Sequence, residues 1–312
     1  MIIISQSLIK RFYKYDPYLD QWAFRAFCPR KEKELSIDRI HEWSSESMQC
    51  GKYFETLFLG SGRDGEMVLD LPRKKLTKAE QQANIIAEME ETPILYKGAK
   101  LTDQRRIDEQ VLRAQQRAIE LDINIIQNVN TQVKILKKFS NNIMLSCNID
   151  IFPTTITISG DKPRLAIMDI KLTADLNGKA SYTDFCWGEF QKMDPIQGYM
   201  YHYMVRDIDF ILNPELKELV TDNVLDIIKN NEILYYYWVF NYKPGKTDTL
   251  RDQFYSVLWD DNRKDKLEDL IRKAASTIEY YDKVGWNAVG IFEECKNCQC
   301  KNCNKKVYIQ EI

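Results

Sequence analysis

The stretch "IMDIKLT", residues 167–173, has the composition of a strand in the middle of a sheet, yet it contains two charged residues. Side chains of successive strand residues point to opposite faces of a sheet, so Asp169 and Lys171 lie on the same face. Burial of a charge is costly unless the charge is paired or binds a ligand. The stretch is therefore an edge strand with solvated charges, a buried Asp–Lys pair without a catalytic role, or part of a functional site.

Two further segments rich in β-branched residues precede this strand, at residues 131–139 and 142–152. Turn residues separate the three segments, so we predict a β-meander. Asp150 lies in the strand immediately before the one that carries Asp169 and Lys171. If these two strands pair, the three ionisable groups converge at one end of the sheet. Carboxylates there suit a divalent cation such as Mg²⁺, which keeps several waters and needs few protein ligands.

Helical patterns lie on both sides of the meander. Ser caps, helix-forming residues and apolar periodicity predict helices over residues 5–15, 43–60, 77–92, 103–122, 194–207 and 263–285. Residues 232–242 are apolar nearly throughout and predict another, central strand. The order of helices, meander, helix, strand and helix predicts an α/β (α+β) fold with a helical N-terminal region.

The composition is that of an ordinary globular protein, with 312 residues, 44% of them hydrophobic and 29% charged. The formal net charge is only −2, so contacts with nucleic acid would come from local basic clusters such as residues 10–11, 73–75 and 137–138. No apolar run has the length of a membrane span or the pattern of a signal peptide. Eight cysteines without a signal peptide favour a reducing, cytoplasmic location, in a bacterium or a phage-infected host.

Five short motifs occur in order along the chain. An S-x-S pattern followed by an aromatic residue comes first, and a glycine with Glu four residues later comes second. The aspartate of a G-x-x-D pattern, a D-x-K pattern and a Q-x-x-x-Y pattern follow. The residues are Ser5, Ser7, Phe12, Gly51, Glu55, Asp150, Asp169, Lys171, Gln197 and Tyr201. Cys147 stands where G-x-x-D has glycine. The set resembles the PD-(D/E)xK nuclease superfamily, in particular its RecB-like and phage-exonuclease branch.

This resemblance implies a fold and a domain organisation. The expected fold is a restriction-endonuclease-like core, in which helices flank a mixed central sheet. One nuclease domain would span residues 1–292, with a helical N-terminal region over about residues 1–125 and a catalytic core over about residues 126–292. A cysteine-rich metal-binding tail would follow at residues 293–312.

The resemblance also implies the residues of a catalytic site, namely Glu55, Asp150, Asp169, Lys171, Gln197 and Tyr201. Three of these, Glu55, Asp150 and Asp169, would hold one or two Mg²⁺ (or Mn²⁺) ions together with the Ile170 carbonyl, and Lys171 would position the attacking water. Gln197 and Tyr201 are four residues apart, so they share a helix face that could look onto DNA and the site.

The implied function is that of a metal-dependent deoxyribonuclease. The expected enzyme is an exonuclease that acts on DNA ends in phage recombination or DNA repair, with a single-strand annealing or other recombination protein as a candidate partner. Three alternatives remain: an endonuclease of the same superfamily, a nucleic-acid-binding protein that keeps the fold without catalysis, and an interaction module built on the cysteine tail.

Four cysteines at positions 295, 298, 300 and 303 make the tail a candidate metal site. A subgroup of RecB-like nucleases holds an iron–sulfur cluster with one cysteine before the nuclease core and three after it. In this chain Tyr15 stands where the first cysteine is expected, and Cys28 or Cys50 would substitute. The ligand set implied is Cys28, Cys295, Cys298 and Cys303, with structural Zn²⁺, a 4Fe–4S cluster and no fixed metal all left open.

Overall fold

The structure of the protein is a computed structural model. It describes residues 1–5, 8–9, 12–16, 21–24, 46–71, 101–156, 164–174, 195–230, 233–243, 249–257 and 261–286, with a few isolated positions between them. The cysteine-rich tail at residues 293–312 lies outside the described residues, as does most of the helix predicted over residues 77–92.

Strands of the described residues form one six-stranded mixed sheet and one hairpin-like pair. The sheet contains β1 (Ile2–Ser5), β4 (Thr131–Lys138), β5 (Ile143–Ile156), β6 (Arg164–Thr173), β7 (Leu234–Asn241) and β8 (Asp252–Val257), and the pair consists of β2 (Tyr13–Asp16) and β3 (Gln21–Phe24). The sheet order is β1-β5-β6-β7-β8, and β4 pairs with β5 as well. The pairs β1/β5 and β6/β7 are parallel, whereas β4/β5, β5/β6 and β7/β8 are antiparallel. The predicted β-meander and mixed sheet are thus confirmed.

Helices cover both faces of the sheet. The described helices are α1 (Glu46–Leu59), α2 (Leu101–Glu120), α3 (Pro195–Arg206), α4 (Asp222–Lys229) and α5 (Asp261–Val284). On one face a first core cluster joins the sheet to α3 and α5 and includes Leu145, Ile167, Met200, Tyr237 and Ile271. On the other face a second core cluster joins it to α1 and α2 and includes Phe54, Val111, Met168, Trp238 and Phe240. The mixed α/β fold class is confirmed.

The position of β7 between the two core clusters explains why its sequence is apolar nearly throughout. Tyr235 and Tyr237 belong to the first core cluster, whereas Tyr236 and Trp238 belong to the second. Adjacent residues of one strand thus pack on opposite faces, and an inner strand covered on both sides needs apolar residues throughout. None of the helices in the described ranges is long and apolar enough to cross a membrane.

The helix predicted over residues 5–15 is only partly confirmed. Residues 8–9 are helical, and the Ser5 hydroxyl accepts a hydrogen bond of 3.4 Å from the Leu8 amide, as the predicted cap does, but strands lie at both ends of the predicted range. Residues 2–5 form β1, which pairs in parallel with residues 143–146 of β5, and residues 13–16 form β2. Ile4 is fully buried in the first core cluster. Pairing of the β-branched isoleucines with β5 therefore stabilises β1, which ends at Ser5, where the predicted helix begins. Strand β8 and helix α4 were not predicted either, although α4 has a Thr221 cap that accepts a hydrogen bond from the Val224 amide.

Candidate active site

Strands β5 and β6 separate at the point where the candidate acids lie. Their pairing runs from Ile156–Arg164 to Ile151–Met168, with a register shift between Ile151 and Thr154. Beyond that point the Ile170 amide of β6 has a side-chain partner on β5. It donates a hydrogen bond of 2.7 Å to Asp150 Oδ2. This fork brings Asp150 next to the segment that carries Asp169 and Lys171.

Asp169 and Lys171 form a close ion pair at this fork. The Asp169 side chain is fully buried, whereas 19% of the Lys171 side chain is exposed. The Lys171 ammonium contacts Asp169 Oδ2 and donates a hydrogen bond of 3.2 Å to the Ile170 carbonyl. Burial raises the pKa of Asp169, although the Lys171 charge opposes the shift. The ammonium therefore lies between a buried carboxylate and the open side of the site.

Helix α3 supplies a polar pair that holds Asp169 from the first face of the sheet. Gln197 Nε2 donates hydrogen bonds of 2.6 Å to Asp169 Oδ1 and 3.0 Å to the Tyr201 hydroxyl oxygen. Both side chains are buried, and burial raises the pKa of Tyr201 well above its ordinary value. The two residues share a helix face, as their spacing predicts. That face points to the interior, where Gln197 contacts the Asp169 carboxylate and Tyr201 contacts Gln197.

Glu55 approaches the same fork from helix α1 on the second face of the sheet. Burial raises its pKa, and the negative charge of Asp150 adds to the shift. The cations Lys171 and Arg63 act in the opposite direction. A carboxyl group responds in this way only when the other charges are close. The three predicted acids therefore form one electrostatic group with Lys171.

Arg63 is a cation of this group that the motifs did not indicate. It begins the 3-10 turn Arg63–Gly65, in which Asp64 adopts a left-handed conformation with φ of 57°. Electrostatic interaction with the Tyr201 hydroxyl and with the acids Asp150 and Glu55 raises the pKa of Arg63, although burial opposes the shift. The sequence signal available was the glycine-flanked segment "GSGRDG", residues 60–65, directly after α1. A turn of this kind shows no periodicity that links it to a particular site.

Gln132 of β4 is the second residue missed. Its Nε2 donates a hydrogen bond of 3.1 Å to Asp150 Oδ1, so Asp150 is held by β4 and β6 together. Gln132 has a positive φ of 51°, which is unusual inside a strand. The neighbouring residues Ile149 and Ile151 pack in opposite core clusters, so the alternation of β5 is interrupted at Asp150. Paired irregularities of this kind re-aim side chains next to active sites.

The donor groups at the fork suit a hard divalent cation. Within the described ranges, no three Asp, Glu, His or Cys side chains lie close enough together to hold one ion as they stand. Burial raises the pKa values of Glu55 and Asp169, and the negative charge of Asp150 adds to both shifts. Carboxylate and carbonyl oxygens are the ligands that Mg²⁺ takes. Holding an ion would require these side chains to move together, with the Lys171 ammonium leaving Asp169.

Other residues singled out from the sequence have different places. Cys28, Cys295, Cys298 and Cys303 lie outside the described residues, and so do the basic clusters at residues 10–11 and 73–75. Cys50 is buried in the second core cluster. The Lys137 ammonium lies 4.0 Å from the centre of the Tyr203 ring and donates to the Tyr203 carbonyl, so this lysine is engaged within the protein. His202 is buried and stacks on Tyr199.

Comparison with known proteins gives one informative likeness. No protein-family model and no curated protein matches this chain. A solved structure from Eubacterium rectale named "Putative exonuclease" aligns with 99% of this chain and 90% of its own, at 16% sequence identity and a TM-score of 0.50. The two proteins share a fold. The structure of SSO0001 covers 86% of this chain and 90% of its own at 10% identity, but its TM-score of 0.26 is too low to indicate a common fold.

Proposed function

We propose that this protein is a metal-dependent deoxyribonuclease that hydrolyses phosphodiester bonds. The observation that carries the proposal is the group formed by the buried Asp150 and Asp169 with the partly exposed Lys171 at the fork of β5 and β6, with Glu55 added from α1. Carboxyl groups with raised pKa values beside a lysine, as Glu55 and Asp169 have here, are a mark of functional sites. The fold shared with a structure named as an exonuclease supports the nuclease assignment.

The acidic group would hold the ion that the reaction needs. Glu55, Asp150, Asp169 and the Ile170 carbonyl are the residues that would hold Mg²⁺ or Mn²⁺. When bound, the ion would neutralise charge on the phosphate and promote ionisation of water. Gln197 fixes the Asp169 carboxylate through its 2.6 Å hydrogen bond, and Gln132 and the Ile170 amide fix Asp150. These hydrogen bonds keep Asp150 and Asp169 at the fork, from which the carboxylates would close on the ion once the Lys171 ammonium leaves Asp169.

The cations of the site have separate roles. Lys171 is the partly exposed member of the ion pair, and its ammonium would position the attacking water beside the phosphate. Arg63 lies near the same acids, and a guanidinium can make two parallel hydrogen bonds to phosphate oxygens. The substrate we propose is DNA, cleaved from its ends in phage recombination or repair. A single-strand annealing or other recombination protein is the proposed partner.

Digestion of linear and closed circular DNA with Mg²⁺ tests this proposal. We expect the wild-type protein to degrade linear DNA from its ends. Asp169→Ala and Lys171→Ala should each lower the rate by about a hundredfold or more, because each removes a group that acts on the reacting atoms. Lys229→Ala and Asp226→Ala serve as matched controls, since both residues are exposed on α4, and they should leave the rate unchanged.

Two outcomes would change the proposal. Undiminished cleavage by both Asp169→Ala and Lys171→Ala would remove these residues from the mechanism and, with them, the site. Cleavage of closed circles at a rate similar to that of linear DNA would replace the exonuclease with an endonuclease of the same fold. Both strands of the linear substrate should be labelled at both ends, so that the direction of degradation is read from the same experiment.

A further inference from the structure

An open polar cleft of about 380 Å³ lies beside Asp150. The segment after α1 forms one side of the cleft, and strands β4 and β5 form the other. Its lining includes Ser61, Asp64, Thr131, Gln132, Lys134 and Asn148. The volume falls in the range of ordinary small-molecule sites, about 300–1,000 Å³, and suits one nucleotide.

The cleft is joined directly to the candidate active site. Asn148 lies two residues before Asp150 on β5, and Gln132 connects the cleft to Asp150 Oδ1 through its 3.1 Å hydrogen bond. Asp64 and Lys134 form an ion pair of 2.9 Å across the cleft. With its carboxamide in the orientation that satisfies both neighbours, Asn148 accepts a hydrogen bond of 3.2 Å from the Asp64 amide. A molecule in the cleft would therefore adjoin the acids of the fork.

Gln132, which lines the cleft, has a hydrogen-bonding group left over. Its Oε1 is a buried acceptor that has no hydrogen-bond partner in the described part of the chain. Its backbone adopts a φ of 51°, a conformation that is unfavourable for a residue with a side chain. Unpaired buried acceptors and strained backbone are rare, and they concentrate at functional sites. A ligand that donates a hydrogen bond would satisfy the free oxygen.

We propose that the cleft is a subsite for the base of the nucleotide next to the cleaved phosphodiester. Gln132 Oε1 accepts a hydrogen bond from the exocyclic amino group of that base, while Gln132 Nε2 keeps its hydrogen bond to Asp150. Cytosine, adenine and guanine carry such an amino group, whereas thymine and uracil do not. The Asn148 carboxamide borders the same base. This inference rests on the proposed nuclease function, which supplies the DNA strand.

Two nucleotides that differ at the pyrimidine 4-position, and in the N3 proton that goes with it, test this subsite. Deoxycytidine monophosphate has an amino group where deoxyuridine monophosphate has a carbonyl. In calorimetric titrations of the full chain with Ca²⁺ present, we expect the cytidine nucleotide to bind about fivefold more tightly, the value of one hydrogen bond to a buried acceptor. Gln132→Met removes the acceptor and should bring the ratio of the two affinities to about one. Loss of metal binding would weaken the binding of both nucleotides equally, so the ratio of the two affinities reports only on the acceptor.

A second variant covers the case in which Gln132→Met fails to fold. Asn148→Ala should weaken binding of the cytidine nucleotide about fivefold. Asn223→Ala, at an exposed position of α4, should leave the affinity unchanged. Equal affinity of the wild-type protein for the two nucleotides, or no detectable binding of either, would overturn the subsite. An affinity unaffected by both Gln132→Met and Asn148→Ala would also overturn it, because the nucleotide would then lie elsewhere.

The subsite and the nuclease function can fail separately. Cleavage of linear DNA by a wild-type protein that binds both nucleotides equally would reject the subsite and retain the nuclease. Absence of cleavage, together with a cytidine preference that depends on Gln132, would reject the nuclease and retain a nucleotide site.

Discussion

Asp169 depends on Gln197 for its orientation and for part of its charge stabilisation. Gln197→Ala removes a 2.6 Å hydrogen bond to a buried carboxylate, so we expect the cleavage rate to fall about 10–100-fold. Loss of a donor to the charged form also raises the pKa of Asp169 further. The loss of activity should therefore be larger at acidic than at alkaline pH. Rate–pH profiles of both proteins measure this shift.

Tyr201→Phe is the matched control for Gln197→Ala. It removes only the hydroxyl to which Gln197 donates, and Asp169 keeps its partner. We expect a smaller loss of rate and an unshifted acid limb of the pH profile. Equal profiles for Gln197→Ala and the wild-type protein would contradict a positioning role for Gln197 and leave it a packing residue.

Glu55 should destabilise the folded protein at alkaline pH. Burial and the nearby Asp150 raise its pKa to about 8, whereas an unfolded glutamate has a pKa of about 4.3. The folded protein therefore binds the proton more tightly, and stability falls as the pH rises from the unfolded value through the folded one. In EDTA at pH ~9, Glu55→Gln should melt at a higher temperature than the wild type. The difference should be about 2–4 °C for each kcal/mol that the substitution adds to the free energy of unfolding.

The same comparison at pH ~5 provides the check, because Glu55 is then protonated in the folded protein and resembles glutamine. The two melting temperatures should converge there. Glu218→Gln, at an exposed position, should show no difference at either pH. A Glu55→Gln variant that is less stable than the wild type at pH ~9 would show that the ionised Glu55 does not destabilise the folded protein.

Individual residues differ in how far the sequence reveals their roles. The period of a strand places Asp169 and Lys171 on one face, and the period of a helix does the same for Gln197 and Tyr201. That Gln197 contacts Asp169 depends on how α3 packs on the sheet, which no local pattern contains. The contact of Gln132 with Asp150 could not be predicted either, because Gln132 has a positive φ although its sequence favours a regular strand.

At the scale of elements, the approach of α3 to β7 decides where Gln197 lies. A Cβ atom at Gly198 would lie 2.7 Å from the Tyr235 ring, closer than packing allows. Gly198→Ala should therefore push α3 away from the sheet, at a cost of about 1–3 kcal/mol in stability. It should also lower the cleavage rate, because Gln197 would move with the helix. Urea unfolding and the DNA digestion assay measure the two effects.

Gly51 is the matched control for Gly198, because it is also a helical glycine. A Cβ atom at Gly51 would meet nothing within 4 Å. Gly51→Ala should therefore raise the stability by about 0.5–1 kcal/mol, since glycine is the poorer helix former. Equal destabilisation by the two substitutions would contradict the close packing of α3 against β7.

Sequence patterns predicted long elements well and short N-terminal ones poorly. Helices α2 and α5 and strands β4 to β7 extend over enough residues for their periods to stand out. Strand β1 has only four residues, and β-structure there depends on pairing with β5, which lies about 140 residues further along the chain. A local window cannot contain that partner, so no strand was predicted at residues 2–5.

At the scale of the whole molecule, residues of the N-terminal segment pack in the first core cluster. Ile9 and Phe12 are buried in this cluster together with Ile271 and Ala275 of α5. The Tyr13 hydroxyl donates a hydrogen bond to the Leu270 carbonyl of the same helix. Residues near both ends of the described chain thus pack against each other. The described part of the N-terminal segment is therefore an integral part of the core around the six-stranded sheet.

Neighbouring isoleucines of β1 test this integration. Ile4 is fully buried, whereas Ile3 is 55% exposed. Ile4→Ala should lower the free energy of unfolding by about 2–5 kcal/mol, because it leaves a cavity in the first core cluster, and Ile3→Ala should lower it by less than about 1 kcal/mol. Urea titrations with an unchanged slope would give both values. Similar, small losses for the two variants would show that β1 contributes little to the core, and the N-terminal segment would then be dispensable for the fold that positions Asp150 and Asp169.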